Sequence, residues 1–143
     1  MFRTLDDQVQ VAGQIAPEDV AEAAAQGVRR IVNNRPDGEE PSQPGGDTIR
    51  AAAEAAGLDY VAVPMGHGGL SQEQVEAMAA ALDDGAKTLA FCRSGTRSTI
   101  LWSLAKASRG AEPVGLIAAA AEAGYDLAPY AQTLSALHAR ATG

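Results

Sequence analysis

The residues Cys92-Arg93-Ser94-Gly95-Thr96-Arg97-Ser98 bring a nucleophile, two guanidiniums, a glycine and three hydroxyls within seven positions. Cys92 closes the short apolar run Thr88 to Cys92 (TLAFC), which reads as a buried central strand, and a helix is expected from about Thr96 to Ser108. A sulfur between a strand end and a helix start sits where unpaired N–H groups and the positive helix end favour a thiolate and bind oxyanions. Gly95 lets the backbone curl so that successive N–H groups form an anion nest. Arg97 can return over that loop with a bidentate fork, and Ser98 is placed to hydrogen-bond the sulfur when it leaves. A lone cysteine after an apolar run is often only a small buried hydrophobe. Here the arginines, the glycine and the hydroxyls around it point to chemistry instead.

If that chemistry expels a poor leaving group, a proton donor must reach it. Asp37 and His67 are the candidates, each on a loop expected at the same edge. Asp37 also reads as the turn residue of Pro36-Asp37-Gly38, and His67 lies among Gly66, Gly68 and Gly69 on a loop able to close over a ligand. Arg35 is either a second anion contact or a loop-anchoring ion pair. Trp102 is expected in the core and His138 on the solvated surface. Cys and His spacing fits no metal site, and no GxGxxG or GxxxxGK[ST] string occurs, so no metal and no nucleotide cofactor are expected.

Positioning these residues requires alternating strands and helices. Gln8 to Ile15, Val28 to Asn33, Tyr60 to Pro64 and Thr88 to Cys92 read as strands. Helices are expected over Pro17 to Gln26, Asp47 to Ala56, Ser71 to Leu82 (opened by a Ser71/Gln74 capping box), Thr96 to Ser108, Pro113 to Ala123 and Leu127 to Ala139. This is the pattern of an α/β fold, a parallel sheet with helices packed on it. Ligands then bind beyond the carboxyl ends of the strands, where the loops Asn33 to Glu40, Met65 to Ser71 and Cys92 to Ser98 converge. The segment Gly38 to Gly46 (GEEPSQPGG) is polar and Pro/Gly-rich, and reads as a surface loop.

A chain of 143 residues with 46% hydrophobic and 20% charged content fits a single domain, 1–143, with one ordinary core. Its net charge of −7 disfavours nucleic acid as a partner and requires any anion site to be local. No apolar run is long enough to cross a bilayer, and the opening MFRTLDDQVQ lacks the pattern of a leader. A cytoplasmic protein with a small anionic or phosphorylated substrate and no membrane partner is expected; oligomeric state is not legible.

The strings GQIAPEDV (Gly13 to Val20), IVNNRPDGEEPSQP (Ile31 to Pro44), FCRSGTRSTILWSLA (Phe91 to Ala105) and AGYDL (Ala123 to Leu127) run in order through nearly the whole chain. Together they resemble the bacterial putative phosphatase family, the phosphatase-like domain also found in beta-lactamase-hydrolase-like proteins. That family is similar in fold to protein tyrosine and dual-specificity phosphatases. The resemblance implies a mostly parallel sheet of four or five strands with helices on both faces. It also implies Cys92 as a nucleophile forming a phosphocysteine, Arg97 binding the phosphoryl oxygens, and the backbone of Arg93, Ser94, Gly95, Thr96, Arg97 and Ser98 lining the anion site. One departure stands out: tyrosine-phosphatase loops place five residues between Cys and Arg, whereas here four intervene, Arg93 to Thr96. The shorter loop resembles that of rhodaneses, whose Cys carries a persulfide, and family members are also described as sulfur transferases. Further, Met65 to Ser71 has no Asp where related phosphatases often keep a general acid. Three functions are therefore carried forward: a Cys-dependent phosphatase, a sulfurtransferase and a non-catalytic anion-binding module.

Overall fold

Side chains that alternate across a pleated strand supply two apolar faces, and here both faces are covered by helices. In the computed structural model, which describes residues 2–66 and 68–143, five strands form one sheet in the order β1-β2-β5-β3-β4. They are β1 (Arg3–Thr4), β2 (Val9–Ala12), β3 (Arg30–Asn33), β4 (Asp59–Ala62) and β5 (Thr88–Phe91). All neighbours pair in parallel except β1, which runs antiparallel to β2. The α/β architecture expected from the sequence is present, with β5 at the centre and all its residues buried.

Val11, Val32 and Ala90 face one core, together with the buried residues of α3 (Gln72–Leu82), α4 (Thr96–Ser108), α5 (Pro113–Glu122) and α6 (Ala131–Thr142). Ala12, Ile31, Leu89 and Phe91 face the other, against α1 (Pro17–Ala25) and α2 (Gly46–Ala55). Trp102 is in the first core as expected, 1% exposed, and its indole N–H donates to Asp6 Oδ2 at 3.0 Å.

Several boundaries differ from the sequence expectation, each for a local reason. The first expected strand shrinks to Val9–Ala12, because the chain beyond it must swing to the Cys92 loop: Gln14 N–H donates to Arg93 O at 3.2 Å. The edge strand β1 is only two residues long, too short to carry a period. Pro129 divides the last expected helix into a short 3₁₀ turn, Ala128–Tyr130, and α6. His138 is half-buried rather than solvated, its Nδ1 3.0 Å from Ala111 O.

Candidate active site

Cys92 lies one residue past the central strand, fully buried, and its N–H donates to Ala12 O at 3.3 Å. Gly95 then adopts φ +92°, a left-handed conformation that glycine reaches without penalty, and caps α4. This turn brings the Gly95 N–H to 3.1 Å from Cys92 Sγ. The thiol side chain therefore sits at the N-terminal end of α4, as the spacing implied.

Arg97 reaches the same place from the first turn of α4, but a residue the sequence did not single out holds it. Glu39 accepts from Arg97 through both carboxylate oxygens, Nη1 to Oε2 at 2.7 Å and Nη2 to Oε1 at 2.8 Å. The second Nη1 proton goes to Met65 O at 2.7 Å. A guanidinium has five N–H donors, so the edge formed by Nε and Nη2 still has two to offer. The Glu39 ion pair raises the Arg97 pKa, and the nearby Cys92 sulfur acts in the same direction. Reciprocally, Arg97 and then Arg35 hold the Glu39 carboxyl down at about 2 against the opposing effect of burial.

Arg35 turns out to be a buried anchor, 4% exposed, with Nε donating to Glu39 Oε1 at 2.8 Å and Nη1 to Gln14 Oε1 at 3.0 Å. Arg93 is largely exposed and pairs with Glu40 at 2.9 Å, while Arg35 Nη2 lies 3.6 Å from the same carboxylate. Three guanidiniums thus face two carboxylates beside the sulfur, a local positive excess within an acidic molecule. The segment Gly38 to Gly46, expected as a surface loop, forms a strap: Gln43 accepts from the Glu39 N–H and donates to Pro36 O. It carries Glu39 and Glu40 into the arginine cluster.

Other expectations are corrected. Ser98 makes no hydrogen bond to the sulfur; its hydroxyl is buried and has no partner. Ser94 and Thr96 pair their hydroxyls with each other at 3.1 Å. Asp37 accepts from the Gly46 N–H at 2.8 Å, fastening the start of α2, and no hydrogen bond or ion pair brings it to Cys92. It borders a cavity of ≈ 320 Å³ with Asn33, Arg50 and Tyr60. His67 lies outside the described residues. Among the described residues, the buried side-chain polar atoms without partners are Asn34 Oδ1, Arg35 Nη2 and Ser98 Oγ. All belong to residues just past the carboxyl end of β3 or at the start of α4, where the fold leaves its unspent hydrogen-bonding capacity.

Glu39 gave no sequence signal, since a glutamate in a polar Pro/Gly stretch reads as surface. Tyr125 was quoted only as part of AGYDL, yet its hydroxyl donates to Ser94 O at 3.1 Å.

Comparison with known proteins agrees with this fold. Residues 1–109 match the family model "Beta-lactamase hydrolase-like protein, phosphatase-like domain". A beta-lactamase hydrolase-like protein of Xylella fastidiosa (strain Temecula1) is 37% identical over 108 residues, which are 74% of this chain and 25% of that protein. The chain thus spans about a quarter of the length of the curated relatives it matches. Among solved structures, a putative phosphatase from Neisseria meningitidis Z2491 superposes with a TM-score of 0.80 at 29% identity, covering 94% of this chain and 96% of that one. PTPMT1 superposes with a TM-score of 0.76 at 13% identity, covering 99% and 96%, a likeness of fold alone. With a tyrosine-phosphatase-like sheet, a Cys-Arg loop on its central strand and a family match over most of its length, the chain belongs to the phosphatase-like domain family of beta-lactamase hydrolase-like proteins.

Proposed function

We propose that the chain is a cysteine-dependent phosphatase acting on a small anionic or phosphorylated molecule. The observation that carries this reading is the arrangement around Cys92 Sγ: the Gly95 N–H at 3.1 Å and, beside it, an Arg97 guanidinium that Glu39 holds by one edge only. The thiolate attacks phosphorus, an S–P bond forms and the P–O bond to the leaving group breaks. The leaving oxygen takes a proton, and water then attacks the phosphocysteine, releasing phosphate and restoring the sulfur. Loop N–H groups, including those of Ser94, Gly95, Thr96 and Ser98, with Arg97 would stabilise the charge on the equatorial oxygens. Arg35 supports them through Glu39, and the net charge of −7 keeps nucleic acid from competing for the site. A cytoplasmic setting suits the mechanism, because a lone thiol stays reduced there.

The proton donor for the leaving group is His67 or Asp37. Asp37 accepts from the Gly46 N–H through Oδ1, which leaves Oδ2 to carry a proton. Sulfur transfer is the second reading, favoured by the four-residue spacing between Cys92 and Arg97. There the outer sulfur of thiosulfate passes to Cys92 as a persulfide with release of sulfite, and a thiophile such as cyanide removes it; no strong acid is needed.

Hydrolysis of p-nitrophenyl phosphate by the wild type and Cys92→Ser across pH 5 to 8 tests the proposal. Turnover abolished in the serine variant is the expected result, with the acid limb then read in His67→Asn and Asp37→Asn. A reduced, folded wild type that forms thiocyanate from thiosulfate and cyanide but leaves the phosphate ester intact would overturn it in favour of sulfur transfer.

A further inference from the structure

In a trans peptide the C=O and N–H of one planar unit point in opposite directions, and no cis bond is present among the described residues. Whatever holds a loop carbonyl outward therefore aims the next N–H inward. Two carbonyls of the Cys92 loop are held in this way. Arg93 O accepts from the Gln14 N–H at 3.2 Å, which turns the Ser94 N–H away from Gln14. Ser94 O accepts from the Tyr125 hydroxyl at 3.1 Å, and the N–H of that same peptide unit, belonging to Gly95, points to Cys92 Sγ at 3.1 Å.

We infer that Tyr125 is a positioning residue for the nucleophile: by holding the Ser94 carbonyl outward it aims the Gly95 N–H at the Cys92 sulfur. The residue comes from the segment between α5 and α6, beyond the residues 1–109 matched by the family model. Its own placement is built. The Arg3 guanidinium lies over the Tyr125 ring, 5.6 Å from the centroid, and Arg3 Nη1 donates to Ala123 O at 2.7 Å. The short edge strand β1 thereby braces the tyrosine. At Gly95 the phenol packs so closely that a Cβ would collide with it, independently of the positive φ. Burial pushes the Tyr125 phenol above its usual value, so the proton needed for donation stays in place at neutral pH.

The inference rests on Cys92 being the nucleophile, whichever group it transfers. Because the chain has one cysteine, the thiolate absorbance near 240 nm, corrected with Cys92→Ser, reports Cys92 alone. Tyr125→Phe keeps the ring and its stacking on Arg3 and removes only the hydroxyl. Its thiolate transition is expected at a pH at least half a unit above that of the wild type, with an unchanged melting temperature. Arg3→Leu is expected to shift the transition in the same direction by less. Coincident transitions in wild type and Tyr125→Phe would overturn the assignment. A wild type that does not hydrolyse p-nitrophenyl phosphate, alongside a Tyr125→Phe shift, would sink the phosphatase reading and leave this one standing.

Discussion

Arg97 shows how a charged residue can be both fixed and available. Its bond to Glu39 uses one edge of the guanidinium and Met65 O uses a further proton, which sets the plane of the fork while Nε and one Nη2 proton remain for an oxyanion. Glu39 also answers to Arg35, so removing its charge leaves two guanidiniums in a largely buried place. Glu39→Gln is expected to lower kcat/KM by about tenfold or more and to destabilise the fold by up to about 3 kcal/mol at neutral pH. The sign with pH follows from the lowered pKa. A carboxyl near 4.5 when unfolded and about 2 when folded contributes fully above pH 4.5, and that contribution disappears as pH falls toward 2. Thermal melts from pH 2.5 to 7 should show the difference between wild type and Glu39→Gln narrowing with acid; a difference independent of pH would mean the carboxylate charge is not what stabilises.

At the scale of elements, the turn after β2 and the loop after β5 are built against each other. A Cβ added at Gly13 would stand 2.9 Å from Arg93 O and 3.6 Å from Ser94 Cα. Those are backbone atoms, so they can yield only by moving the loop. Gly13→Ala is therefore expected to cost about 1–3 kcal/mol through overpacking and to lower kcat/KM by about tenfold as the loop N–H groups lose their aim. Full activity in that variant would show that the Arg93 carbonyl is not a needed clamp. The strap 38–46 works from the opposite side, delivering Glu39 and Glu40 to the arginines.

Across the whole molecule, α4 is the axle on which the site turns. Nine of its thirteen residues are buried, since α3 and α6 pack on it and β2 lies beneath. Thr99 and Ser103 satisfy their hydroxyls on carbonyls of the preceding turn, Gly95 O and Ile100 O. Trp102 fills the centre of this packing, and Trp102→Ala should cost about 3–5 kcal/mol, a fall in Tm of roughly 10 °C or more for a chain of this size. Circular dichroism would measure it. A loss below about 1 kcal/mol would mean the surrounding helices close the cavity, and that α4 is not held by its core.

The sequence alone determined what local pattern can carry. Periodicity and capping residues marked the strands and helices, since side-chain burial repeats along each element, and a cysteine between a buried strand and a helix start marked the loop that carries the candidate site. Family strings pointed to the phosphatase-like fold. Tertiary structure alone decided what surrounds the sulfur. Glu39 sits in a strap with no period, 58 residues before Arg97, and Tyr125 lies 31 residues beyond Ser94. No local rule connects residues so far apart: each becomes a partner only when the sheet and α4 bring separate loops within hydrogen-bond distance. The same long-range packing gave Asp37 to the start of α2 and left Ser98 without the sulfur bond its position suggested, because side-chain direction depends on how the whole loop is clamped.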